Sequence, residues 1–105
     1  MKTNKKMQSL YKAVLTLNTE EECRKFFRDL LTEAEIKEFA NRWQVAKMLD
    51  KKVQYDVISK ETGMSSTTIA RISKWLNNGM GGYKLMLEKL NTQNKNHSHT
   101  RLVAV

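Results

Sequence analysis

Proline is absent from this chain of 105 residues, and glycine occurs only four times. These two residues build most tight turns, and sheets need many turns, so an all-α protein is expected. Cysteine occurs once, at Cys23, which excludes an internal disulfide and a cysteine-rich zinc site. No pattern around Cys23 suggests a nucleophile, and it reads as a small buried apolar residue. No apolar run reaches the roughly 18 residues of a membrane span, and no signal peptide opens the chain. A cytoplasmic protein without a membrane partner is therefore expected. A glycine-rich phosphate loop, a catalytic triad and a framed carboxylate pair are all missing, so no enzyme is expected. His97 and His99 lie two apart with no third ligand nearby, so neither a metal nor another cofactor is expected.

Acidic residues are also in short supply. Nineteen Lys and Arg stand against 11 Asp and Glu, for a net charge of +8. Such a balance suits a polyanionic partner, most often nucleic acid. Its distribution is uneven. Residues 19–38 carry seven acids against four bases, whereas residues 54–82 carry three bases against two acids. Phosphate contacts are then expected partly from flanking positions such as Lys51 and Lys52.

Apolar residues recur at helical spacing along most of the chain. Met7, Leu10, Tyr11, Val14 and Leu17 mark a first helix, after a polar start at 1–6 expected to fray. Thr19 with Glu22, and Thr32 with Glu35, read as capping boxes that open a second and a third helix. The third runs from about Thr32 to Lys51, with a stripe of Ile36, Phe39, Ala40, Trp43, Ala46 and Leu49. Val45 and Met48 lie off that stripe, so this helix is expected to be covered from more than one side. Tyr83, Met86, Leu87 and Leu90 make a last short helix after the glycine-rich turn at 77–82. Residues 1–91 are read as one helical domain, and residues 92–105 as a polar, disordered tail.

The most informative stretch is 54–76, QYDVISKETGMSSTTIARISKWL, which reads as a helix-turn-helix. Ser59 is small enough for two helices to pass closely. Gly63 supplies the positive φ of a sharp helix exit. Met64, Ile69 and Ile72 fill the angle between the helices, and Ser65 or Ser66 caps the second. Ser66, Thr67, Ala70, Arg71 and Lys74 remain on other faces, several of them free to meet a major groove.

These residues, with LLTEAEIKEFANRWQVAKML before them, resemble the Trp-repressor superfamily, in particular its Trp-repressor-related branch of the YerC/YecD type. The similarity covers roughly Leu30 to Leu90. It implies a six-helix, intertwined homodimer that carries two helix-turn-helix units and recognises a pseudo-palindrome in double-stranded DNA. Ser66, Thr67 and Ala70 match groove positions, where hydroxyls and a methyl can meet bases. Lys60, Arg71 and Lys74 are phosphate candidates, Gln54 and Tyr55 can touch the backbone, and Ser65 is counted with them among the DNA-binding residues. Asp56 replaces a basic residue of the Trp repressor.

The resemblance also implies a tryptophan pocket. Thr32, Arg42, Thr68 and Arg71 match positions that line it. Ile72 replaces a glycine there, and Trp75 replaces the serine that receives the ligand's amino group. Both are bulky and apolar, which argues against tryptophan as ligand and leaves another small effector open. The reading is a homodimeric DNA-binding regulator, acting as a repressor. The alternative is a non-catalytic helical dimer that mediates protein–protein contact.

Overall fold

A computed structural model of the chain describes residues 1–104, with side-chain surroundings given as far as residue 93. Six α-helices follow one another, with no strand among the described residues. They are α1 (Lys5–Leu15), α2 (Glu20–Leu30), α3 (Glu33–Asp50), α4 (Tyr55–Thr62), α5 (Ser66–Asn78) and α6 (Gly82–Ala104). The expected short last helix is longer than its apolar spacing indicated. The disordered tail expected at 92–105, with His97 and His99, lies almost entirely outside the residues whose side chains are described.

Local chemistry sets most of the helix starts. Asn4 accepts from the Met7 N–H at 2.9 Å, so α1 begins inside the stretch expected to fray. The Thr19 hydroxyl accepts from the Glu22 N–H at 3.1 Å, and the Glu22 carboxylate accepts from the Asn18 N–H at 2.9 Å. Thr32 and Glu35 form the reciprocal box, with bonds of 3.1 and 2.9 Å. Donation from the Thr32 backbone N–H, and then from its hydroxyl, holds the Glu35 carboxyl below its ordinary range. That cap therefore favours the folded state at neutral pH, and its help is lost as pH falls through the lowered pKa.

The chain divides into two compact units, Met1–Glu38 and Phe39–Val105, with the boundary inside α3. In the first unit no residue is buried, although Met7, Leu10, Tyr11, Val14, Phe26 and Phe27 form apolar stripes. Its ion pairs, Arg24 with Glu21 and Lys37 with Glu33, are exposed and contribute little. Cys23, expected to be buried, is half-buried.

The second unit holds the core. Val45, Ala46, Met48, Ile58, Met64, Ile69 and Ile72 pack together, with Trp43, Leu49, Val53 and Tyr83 against them. Val45 and Met48, the off-stripe residues of α3, are buried together with Ala46 of the stripe. Phe39 is 47% exposed and Ala40 is exposed as well. The C-terminal half of the stripe, Trp43, Ala46 and Leu49, joins the core together with Val45 and Met48, so this half of α3 is covered over more than the stripe alone. The longer apolar stripe of α3 keeps an exposed part within its own chain.

Candidate nucleic-acid interface

The surface of interest is built on α4, a three-residue connection and α5. Gln54 precedes α4 in extended conformation and makes no side-chain cap bond, so no side chain at that position satisfies the first-turn N–H groups of α4. Tyr55, Asp56 and Lys60 are exposed along α4, while Ile58 on its inner face is fully buried. Gly63 ends the helix in the left-handed region, at φ 74°, and its N–H donates to the Ser59 carbonyl at 2.8 Å. A side chain at Gly63 has open space around it, so backbone conformation and not crowding selects glycine there. The Thr62 hydroxyl donates to the Ile58 carbonyl at 2.7 Å and accepts from the Met64 N–H at 3.3 Å. Met64 is buried between the two helices, as its position in the sequence required.

Of the two serines expected to cap α5, Ser65 does so. Its hydroxyl accepts from the Thr68 N–H at 3.2 Å and donates to the Thr68 hydroxyl at 3.1 Å. Ser65 and Thr68 are thereby engaged with each other. Ile69, Ile72 and Leu76 anchor the buried face of α5. Ser66, Thr67, Ala70, Arg71 and Lys74 all lie on its exposed side. Spacings of three and four split them into two adjacent rows, one through Ser66 and Ala70 and one through Thr67, Arg71 and Lys74. The two hydroxyls both donate and accept, and Ala70 presents a methyl. That is a set able to read base edges, and the two bases beside it suit phosphate oxygens.

The four residues expected to line an effector pocket stand as follows. Thr32 caps α3 within the first unit, and Thr68 completes the cap of α5. The Arg42 guanidinium lies 5.5 Å from the centre of the Phe39 ring. Arg71 is exposed. Ile72 is fully buried in the core. Trp75 is 44% exposed and turns toward an apolar cleft of about 610 Å³, shared with Trp43, Met80, Tyr83 and Met86. Trp43 and Tyr83 stack there with centroids 6.3 Å apart and planes 15° from parallel. This cleft was not legible in the sequence, because α3 and α6 that form it lie far apart along the chain. The wall of the cleft includes Gly79, where an added Cβ would collide with the Trp75 carbonyl oxygen.

A short helix, a glycine turn and a serine-capped second helix on an otherwise helical chain define a helix-turn-helix protein of the all-α class. The chain belongs to the Trp repressor family: the model of that family, the Trp repressor protein, matches residues 5–91. It is 40% identical to the protein YerC of Bacillus subtilis (strain 168) over 86 residues, 82% of this chain and 83% of YerC. The crystal structure of a TrpR-like protein from Eubacterium eligens ATCC 27750 superposes with a TM-score of 0.81 at 36% identity, covering 85% of this chain and 92% of that one. A candidate Trp repressor from Staphylococcus aureus gives 0.80 at 38% identity, over 85% and 89% of the two chains. Among the described residues, no helix is long and apolar enough to cross a membrane.

Proposed function

We propose that this protein is a sequence-specific, double-stranded-DNA-binding transcriptional regulator that represses by occupying a promoter as a homodimer. The observation that carries the reading is the outer side of α5. Small hydroxyl and methyl side chains sit exposed at Ser66, Thr67 and Ala70, directly beside the fully buried Ile69 and Ile72. A helix held so rigidly from behind presents its front in fixed register, which base recognition requires. Lys60, Arg71, Lys74, Gln54 and Tyr55 surround that front as contacts to the sugar–phosphate strands. Membership of the Trp repressor family supports the same assignment. No catalytic role, metal or cofactor forms part of it.

The homodimer is supported by what the first unit leaves uncovered. Its apolar stripes bury no residue within the chain. Each would strand apolar surface in water at about 25 cal/mol per Å², which a second copy removes. Sedimentation at micromolar concentration is expected to give twice the chain mass of 12.2 kDa. A clean monomer would sink the dimer.

Tryptophan is not assigned as effector, because Ile72 and Trp75 take the space and the polar partner that an indole and its ammonium need. Selection of bound duplexes from a random pool tests DNA recognition, and a pseudo-palindrome is expected. The second reading, a helical dimer for protein contact, is favoured by the small charge of residues 54–82, three bases against two acids. Salt separates the two. Duplex affinity that falls steeply with added salt reports released counterions and favours the DNA reading, while the absence of any salt-sensitive complex favours the other.

A further inference from the structure

A second cavity, of about 310 Å³, lies beside α5 between the end of α3, the start of α4 and the start of α6. Its polar wall includes Asp50, Lys52, Tyr55, Ser73, Asn77 and Lys84. Two of these are lysines from distant parts of the chain, and Asp50 is the carboxylate among them.

Lys52 is the one non-glycine residue with a left-handed backbone among those described, at φ 62°. It follows the C-cap of α3. The Val53 N–H donates to the Met48 carbonyl and the Lys52 N–H to the Leu49 carbonyl, both at 3.0 Å. This pair of bonds is the Schellman ending, where glycine is the usual residue because a Cβ is disfavoured at that φ. A non-glycine residue persists at such a φ where the surrounding structure over-determines it, and such residues cluster at ligand clamps. Across the cavity, the Lys84 ammonium donates to the Asn77 carbonyl at 3.5 Å. Asn77 in turn donates to the Ser73 carbonyl at 2.9 Å.

Position along α5 gives the cavity a meaning. Ser66, Ala70, Ser73 and Asn77 are spaced four, three and four, so they share one row of the helix. Ser66 and Ala70 are the proposed base-facing residues, and Ser73 and Asn77 line the cavity. From Ser66 to Ser73 the helix advances about 10 Å, close to the roughly 12 Å width of a major groove. A helix with its first turn on base edges brings the cavity beside the strand that bounds the groove.

We propose that this cavity is a phosphate clamp, in which Lys52 and Lys84 hold one backbone phosphate of the bound duplex. The inference rests on the DNA-binding reading above and extends its footprint to residues outside the helix-turn-helix. Both lysines are positioning residues. They set the depth and angle of α5 and carry no sequence information. Tyr55 and Ser73 add hydroxyl donors to the same phosphate.

The test compares wild type, Lys52→Gly, Lys52→Arg and Lys84→Gln on a mixed-sequence duplex pool over a series of salt concentrations. Lys52→Gly relieves the left-handed backbone, so its Tm is expected to rise by about 3 °C. Its duplex affinity should nevertheless fall about fivefold, and the slope of log affinity against log salt should shrink by about 0.9 for each clamp engaged. Lys84→Gln should lose the same slope, and Lys52→Arg should retain it. A variant that is more stable yet binds less tightly cannot be dismissed as misfolded. Wild-type slopes in both Lys52→Gly and Lys84→Gln would overturn the clamp while leaving the DNA reading intact. A wild type with no salt-sensitive complex would overturn that reading and the clamp with it. Titration with AMP separates the other source of the same chemistry. Saturable AMP binding that Lys52→Gly abolishes, with duplex slopes unchanged, would assign the cavity to a free phosphate compound and overturn the clamp.

Discussion

Thr67→Glu is expected to abolish sequence-selective duplex binding, with an affinity loss of about 100-fold or more, while the fold stays intact. Thr67 is exposed, so the substitution removes no packing. It stands in the first turn of α5, where a carboxylate interacts favourably with the positive end of the helix dipole. Thermal stability should therefore be unchanged or slightly raised. On the DNA side the substitution removes the hydroxyl proposed to meet a base edge, and its carboxylate meets the negative field of the phosphates. A two-fold dimer suffers both losses twice. Duplex selection with wild type and variant, together with their melting curves, checks the expectation. Enrichment of the same sequences by both proteins would remove the outer face of α5 from the recognition surface.

The second large effect is on the fold. Ile69 is fully buried at the meeting of α3, α4 and α5, with Ile58 and Ile72 beside it. Ile69→Ala removes three carbons from a packed core and is expected to cost about 2–5 kcal/mol. In a domain of this size each kcal/mol lowers Tm by roughly 4–8 °C, so a fall of about 10 °C or more should be seen. Protein concentration must be held constant, since the proposed dimer would melt in a concentration-dependent way. A shift of only a degree or two would mean that Ile69 is not packed as described. Ser66→Ala is the matching surface control, because its hydroxyl is exposed and the cap of α5 belongs to Ser65.

Much of this chain follows from short-range chemistry. The starts of α2 and α3 are set by Thr19 with Glu22 and by Thr32 with Glu35, pairs only three residues apart. The sharp end of α4 follows from Gly63, and the plug between the helices from Met64, Ile69 and Ile72. Such features depend on neighbours along the chain, so the sequence by itself determined them, along with the all-α class and the family. The outer row of α5 was legible for the same reason: once Ile69 and Ile72 face inward, helical spacing turns Ser66, Thr67 and Ala70 outward.

Other features were decided only in three dimensions. Periodicity marked a stripe of Ile36, Phe39, Ala40, Trp43, Ala46 and Leu49 on α3, yet Phe39 and Ala40 are exposed, while the off-stripe Val45 and Met48 are buried along with Ala46. A helix apolar over more than one side carries no internal mark of which side its own chain will cover. Nothing in the run Asp50-Lys51-Lys52 marks a left-handed residue, because the Schellman ending is fixed by where the chain must go next. The cavity between Lys52 and Lys84 exists because residues 32 positions apart are brought to one place by the packing of α5 against α6. Spacing along a sequence encodes the local turn of the backbone. Which distant side chains meet is set by packing, and packing is a property of the whole folded chain.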